Sequence, residues 1–352
     1  MTARNKKLTV ADVARAAKVS KATAARVLGG YGVTSERTRE AVLQAAQDLG
    51  YRPNELARSV STGRSGLIGV VVGDIENAFF ARAVRGISDT ARAAGLNVII
   101  SNSGEDLAQE RALVSVLLRQ QVQGLIVAPT DDGDVAHLAE AMASGTPVVT
   151  IDRWVEGLGA DGICGDDRAA TAALVAQMQA LGHRRIAYVT AIRTPQPRLQ
   201  SLAQVRIAAV RERIAGFLSA APAGQDWHER VHTNATGAAA IDAIVARLLS
   251  ETPGVTAILA SDSLVGAEVF RALSARGIAL PAQMSLVAWF DADWSRVTVP
   301  AVTVVDQPTH RFGALAAERI IARIGGETGP ARHQRIETPL IRRGSLGPAP
   351  GD

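Results

Sequence analysis

Residues 8–28 read LTVADVARAAKVSKATAARVL. Thr9 stands just before an apolar-periodic run, Val10, Val13, Ala14 and Ala17, which share one helical face. Asp12, three residues after Thr9, completes a weak capping box and suits the positive end of a helix. Lys18 and Val19 turn the chain, and Ser20 is a natural N-cap for a second helix reaching Leu28. A third helix is expected over 35–49, capped by Thr34 or Ser35 and ended by Gly50. Pro53 opens a short helix over roughly 54–60, and STGRSG at 61–66 reads as a linker.

This stretch also carries the chain's positive charge. Residues 1–60 hold 11 Lys or Arg and 5 Asp or Glu, a balance of +6, whereas the whole chain is +4. The remaining 292 residues therefore sum to −2. A compact basic unit with two closely joined helices points to a phosphate backbone as its partner.

At 352 residues, 47% of them apolar, the chain is long enough for two or three compact units with real cores. One cysteine, Cys164, excludes an intrachain disulfide framework and fits a reducing compartment. The first residues carry charge without an apolar run behind them, so no secretory signal is expected. No apolar run reaches membrane-spanning length. A cytoplasmic protein without membrane contact is the expectation.

After Gly66 apolar strands alternate with amphipathic helices. LIGVVV, NVIISNS, GLIVAP, PVVTID, RIAYVT, AILA and SLVAWF read as strands, with helices expected over 80–94, 109–120, 135–143, 171–181, 211–220, 237–249, 264–277 and 312–324. Such alternation means parallel βαβ units, too many for one standard sheet. The fold class is α/β: an N-terminal all-α helix-turn-helix domain and a core of two doubly wound parallel subdomains. The expected division is 1–53 for the head, 54–65 for a hinge helix and linker, 66–165 plus 307–330 for one subdomain, 166–306 plus 331–346 for the other, and 347–352 for a tail. The segment 192–210 lacks strand wording and reads as an insertion or a long helix extension.

No dinucleotide or phosphate-binding glycine loop follows a strand, and no nucleophile elbow or metal-ligand cluster appears, so neither enzyme activity, cofactor nor metal is expected. His183 in LGHRR pairs with no cysteine or other zinc-like partner. A transport binding module would need an export signal and no basic head, and both conditions fail.

The chain resembles bacterial transcription regulators of the lactose/galactose repressor (LacI/GalR) family. The resemblance rests on the opening stretch, then on LGYRPNELARSV, IGVVVGDIENAFF, QGLIVAP, PVVTIDR, LGHRRIAYV, RIAGF, ILASD, SLVAWFD and VDQP, in the family's order and near its spacing. It covers nearly the whole chain, except that 190–210 is longer than the family usually has. It implies a periplasmic-binding-protein-like core that closes on a small effector, a homodimer, and a near-palindromic double-stranded operator. The family's tetramers use a leucine-rich heptad extension, and RRGSLGPAPGD has no heptads, which favours a dimer.

In a helix-turn-helix the second helix offers its N-terminal turns to base edges in the major groove. Lys21, Ala22 and Arg26 match the family's base-reading positions. Arg26 could fork to a guanine, Lys21 could reach guanine or phosphate, and Ala22 could touch a thymine methyl. Thr9, Ser20 and Thr23 suit phosphate oxygens. Residues 54–60 match the family's hinge helix, with Asn54, Ala57 and Arg58 toward groove and backbone. Val60 stands where the family usually has a leucine wedge.

Effector contacts are expected at strand ends: Asp74, Asn77, Phe79 and Phe80 after LIGVVV, Arg153 beside Asp152 after PVVTI, Arg213 in RIAGF, Asp262 after ILA, Trp289 and Asp291 closing SLVAWF, and Gln307 at the return crossover. One of the two phenylalanines is expected to be simply buried. Carboxylates accept hydrogen bonds from sugar hydroxyls, arginine donates two at once, and an aromatic face covers a sugar ring. A sugar, sugar acid or similar polar metabolite is the expected ligand, controlling carbohydrate genes through linkage between effector and operator binding.

Overall fold

The computed structural model describes residues 8–29, 32–51, 65–222, 225–251 and 254–351. The hinge assignment at Asn54, Ala57, Arg58 and Val60 lies outside the described residues. The chain divides into two compact units, 1–66 and 67–352.

The first unit packs α1 (Val10–Ala16), α2 (Lys21–Gly29) and α3 (Glu36–Asp48) against one another. Thr9 donates to Asp12 from its backbone N–H (3.0 Å) and hydroxyl (2.7 Å), the expected capping pair. Ser20 Oγ accepts from the Thr23 N–H at 3.1 Å and Ser35 Oγ from Thr38 at 3.3 Å, fixing where α2 and α3 begin. Lys18 takes a left-handed φ of 54° at the tight turn between α1 and α2. Among the described residues the buried core is small: Val13, Ala14, Ala24, Val42, Ala45 and Ala46. Small side chains there let three short helices approach closely.

The second unit holds two six-stranded sheets. The first contains β1 (Leu67–Val72), β2 (Asn97–Asn102), β3 (Gly124–Val127), β4 (Val148–Ile151), β5 (Asp161–Gly165) and β11 (His333–Ile336), in the order β11-β5-β4-β3-β1-β2. All its pairings are parallel. The second contains β6 (Ile186–Val189), β7 (Val231–His232), β8 (Ala257–Ala260), β9 (Ser285–Trp289), β10 (Thr303–Val305) and β12 (Leu340–Ile341), in the order β12-β10-β9-β8-β6-β7. Only the β10–β12 pair there is antiparallel.

Helices cover both faces of each sheet, which is why the central strands are apolar runs rather than alternating ones. In the first lobe α4 (Ala78–Ala93) and α12 (Thr309–Ile324) bury Phe80, Ile87, Phe312 and Ile320 on one face. On the other, α5 (Leu107–Arg119) and α6 (Ala136–Ala143) bury Val114, Leu117 and Leu138. In the second lobe α7 (Asp167–Ala180) and α8 (Ala208–Ser219) cover one face, and α9 (Ala238–Ser250) and α10 (Ser263–Ser274) the other. A short α11 (Asp293–Val297) follows β9.

Two expectations change. Strand β11 pairs with β5, so 333–336 belongs to the first lobe's sheet and not to the second, as the 331–346 assignment had it. The exposed wording HQRI hides this, since an edge strand needs little apolar surface. The segment 192–210 forms no strand, as its wording implied, but it is not a long helix extension either. It is an irregular stretch with a single 3₁₀ turn, Leu202–Gln204, before α8 starts at Ala208.

Candidate functional site

On the first unit, Lys21, Ala22 and Arg26 all lie exposed on α2, while Ala24 faces the core. Ala22 and Arg26 are four residues apart and stack on one face, with Lys21 beside Ala22 at the leading turn. The chain therefore presents these three side chains together along one exposed side of α2, Lys21 and Ala22 in its first turn and Arg26 in its last. Thr9, Ser20 and Thr23 are different. Their hydroxyls are already used in caps, Ser20 Oγ lying 2.9 Å from Thr23 Oγ1. Each hydroxyl keeps a lone pair, and the backbone N–H groups of a helix start remain anion-seeking.

On the second unit, a cleft of about 870 Å³ lies between the lobes at the carboxyl ends of their strands. Asp74, Asn77, Phe79, Phe80, Arg153, Arg213, Asp262 and Gln307 all line it. Asn77 and Asp262 arrive there as helix caps. Asn77 Oδ1 accepts from the Phe79 N–H at 3.0 Å, and Asp262 Oδ1 from Leu264 and Val265 at 2.9 Å each. Both phenylalanines are buried and both reach the cleft, packing edge to face with ring centres 5.1 Å apart. The expected split into one core and one cleft residue does not occur.

The charged floor is a connected network. Arg153 forks to Glu105 at 2.7 and 2.6 Å and also donates to Pro129 O at 3.1 Å. Arg213 donates to Asp167 Oδ1 and to Ser261 O, both at 2.9 Å, and its far nitrogen lies 3.9 Å from Asp152. Asp152, at a left-handed φ of 67°, is 6% exposed, and its Oδ1 has no hydrogen-bond partner. Burial pushes the Asp152 carboxyl above its ordinary range against the pull of Arg213 and Arg153. Burial likewise raises Asp167 to about 6, with Arg213 opposing. Burial works against the charge on Arg213, but Asp167 and Asp152 outweigh it and leave the guanidinium more basic than usual.

Gln307 is 3% exposed and its Nε2 also lacks a partner. An orphan acceptor and an orphan donor, both buried and both in the wall of one cleft, are expensive without a ligand or water to satisfy them. Thr130 Oγ1 is a third such atom in the same wall.

Two sequence expectations are overturned. Trp289 is fully buried on β9 and is not part of the cleft wall. It lies under Arg213, whose guanidinium carbon is 4.2 Å from the ring centre. Asp291 is also buried outside the wall, and its carboxylate is taken up by Arg296, Arg343 and Ser295. Sequence reasoning missed Glu105, Thr130 and Arg206, which line the cleft from loops without a motif. Asp152 was recognised as a strand-end carboxylate, but its unpaired oxygen was not legible. His183 is a structural residue, bridging Thr256 Oγ1 and Gly347 O at 3.0 Å each.

Two family models match the chain: "Bacterial regulatory proteins, lacI family" over residues 9–54 and "Periplasmic binding protein-like domain" over 175–346. A helix-turn-helix-type transcriptional regulator, PtxS of Pseudomonas plecoglossicida, is 32% identical over 342 residues, covering 96% of each chain. The chain belongs to the lacI family of bacterial regulatory proteins. The regulator is also similar to KdgR of Bacillus subtilis strain 168, at 27% identity over 96% of this chain and 97% of that one. A crystal structure of the lac repressor dimer bound to operator and the anti-inducer ONPF matches with a TM-score of 0.83 and 25% identity, covering 97% of the regulator and 100% of that chain. A CelR–cellobiose complex matches with a TM-score of 0.68 and 25% identity, over 96% and 99%. The regulator is thus a DNA-binding transcriptional regulator with an effector-binding core. No helix among the described residues is long and apolar enough to cross a membrane.

Proposed function

We propose that this regulator is a cytoplasmic repressor, without enzyme activity, that binds a near-palindromic operator as a homodimer and releases or grips it according to a small effector in the interlobe cleft. Lys21, Ala22 and Arg26 read bases, and Thr9, Ser20 and Thr23 hold phosphates. The effector is a sugar or sugar acid: its hydroxyls donate to Asp152 and Asp74, accept from Gln307 and Thr130, and its apolar face rests on Phe80. The orphan atoms Asp152 Oδ1 and Gln307 Nε2 carry the reading, because hydroxyls both donate and accept, and a polyhydroxylated ligand in the cleft offers a donor to the one and an acceptor to the other.

Arg213 is a poor target for a test, since its removal strands Asp167 as an unpaired buried charge. Gln307→Leu removes an unsatisfied group instead. A thermal-shift panel of sugars and aldonates should find a ligand that stabilises the wild type and no longer stabilises Gln307→Leu, while the variant's own melting temperature holds. A ligand that stabilises both equally would place the site elsewhere. Arg26→Ala should abolish specific operator shifts without altering the core's melting; unchanged sequence preference would remove Arg26 from the reading face.

A further inference from the structure

The segment after β6 is the part of the chain that neither strand nor helix wording explains, and it is tightly built. Thr194 donates its N–H to Asn234 Oδ1 at 3.0 Å, Thr233 N–H donates to Pro197 O at 3.1 Å, and fully buried Leu199 donates to Val231 O at 3.1 Å. These tie the outward run to the β7 edge of the second lobe. The return run, Gln204 to Ile207, forms part of the cleft wall.

At the end of that run the segment meets the first lobe. Arg211, on the first turn of α8, grips Asp132 with two nitrogens, one of them at 2.9 Å, and its Nη1 also donates to Val205 O at 3.1 Å. The Asp132 N–H donates to Arg206 O at 3.2 Å. The contact with Asp132 raises the basicity of Arg211 over the opposing effect of burial. Asp132 sits in the loop TDDGD at 130–134, and that loop is itself anchored. Thr130 N–H donates to the buried Glu110 at 2.7 Å, and Glu110 is also held by His137 at 2.8 Å.

A smaller cavity of about 420 Å³ shares Asp152 and Ala209 with the main cleft. Asp132 and Arg211 line this smaller cavity, while their neighbours Asp131 and Arg206 line the larger one. The Asp132–Arg211 contact therefore stands between the two compartments, with an anchored loop on one side and an anchored strap on the other.

We propose that Asp132 and Arg211 are positioning residues that clasp the two lobes, so that the 193–207 strap gates ligand entry to and exit from the cleft without either residue touching the ligand. The gating role rests on the cleft being the effector site; the clasp itself does not, and is tested without any ligand. Hydrogen exchange followed by mass spectrometry on the full chain compares wild type, Asp132→Asn, Arg211→Gln and the double variant. Each single variant should speed exchange of peptides covering 130–134 and 203–207 roughly tenfold, the scale of one lost charge-assisted pair. Peptides from β3 should not change. The double variant should be no faster than either single one, since partners in one contact do not contribute additively. In the wild type, raising salt should speed the same peptides and spare β3, which serves if a variant folds poorly. Unchanged exchange in the single variants, or additive effects in the double, would overturn the clasp whether or not a cleft ligand is found.

Discussion

Asp152 and Asp167 share one guanidinium, and that sharing sets a pH response. Asp167 rises from an ordinary value of 3.8 to about 6 because burial disfavours its charged form more than Arg213 restores it. A carboxyl whose folded value exceeds its unfolded value binds more protons when folded, so its contribution to stability is full below about pH 4 and is lost as pH rises toward 6. Asp167→Asn cannot titrate, yet its amide oxygen still accepts from Arg213. Between pH 4 and 6 the wild type should lose stability relative to Asp167→Asn, by on the order of 2 kcal/mol, followed by urea unfolding at each pH. A constant difference across that range would show that Asp167 does not titrate there. The residues of this network were legible in part. Strand ends in a parallel sheet place Asp74, Asp152 and Asp262 at a cleft by topology alone. What sequence cannot give is direction: Trp289 and Asp291 also close a strand, but their side chains turn away, toward Arg213 above the ring and toward Arg343 some fifty residues on.

At the scale of elements, helices α4 and α12 were readable from periodicity to within three residues at either end, although more than two hundred residues separate them. Their mutual approach was not readable, because it depends on which glycines face each other. A Cβ on Gly313 would lie 1.9 Å from Ala83 O, and one on Gly86 2.1 Å from His310 O. Both obstacles are backbone, which cannot swing aside as a flexible side chain can. Gly313→Ala must therefore push the two helices apart and loosen Phe312 and Ile320 against the first sheet. The expected loss is about 3 kcal/mol, at the upper end of overpacking effects and well beyond the small gain in helix propensity. Chemical denaturation of the variant measures it; a stability equal to the wild type would mean that the helices separate freely. The 192–210 stretch failed to read for the opposite reason. It is held by hydrogen bonds to loops and to the β7 edge, and such pairing leaves no periodic trace in sequence.

At the scale of the whole molecule, the charge asymmetry of the sequence coincides with the division at residues 66 and 67. Residues 1–66 hold 12 Lys or Arg and 5 Asp or Glu, a balance of +7, which leaves −3 for the rest. Among the described residues the first unit has a core of six buried residues, four of them alanines, whereas the second buries four separate apolar clusters across two sheets. Buried apolar area scales with core size, so the head holds its fold by a far smaller margin. Calorimetry of the full chain should therefore show two transitions, the smaller one at lower temperature. Val42→Ala removes two methyl groups from the head's core, and should lower the first transition alone. Leu125→Ala opens a cavity in the first lobe beside Leu117, cost about 3 kcal/mol, and should lower the second alone. If either substitution moved both transitions, the units would unfold as one, and the core could sense the state of the head through stability itself. If the transitions move separately, ligand binding in the cleft cannot act on the head by stabilising its fold. It must then act through geometry, by changing how the two proposed reading helices of the proposed homodimer are presented to one operator.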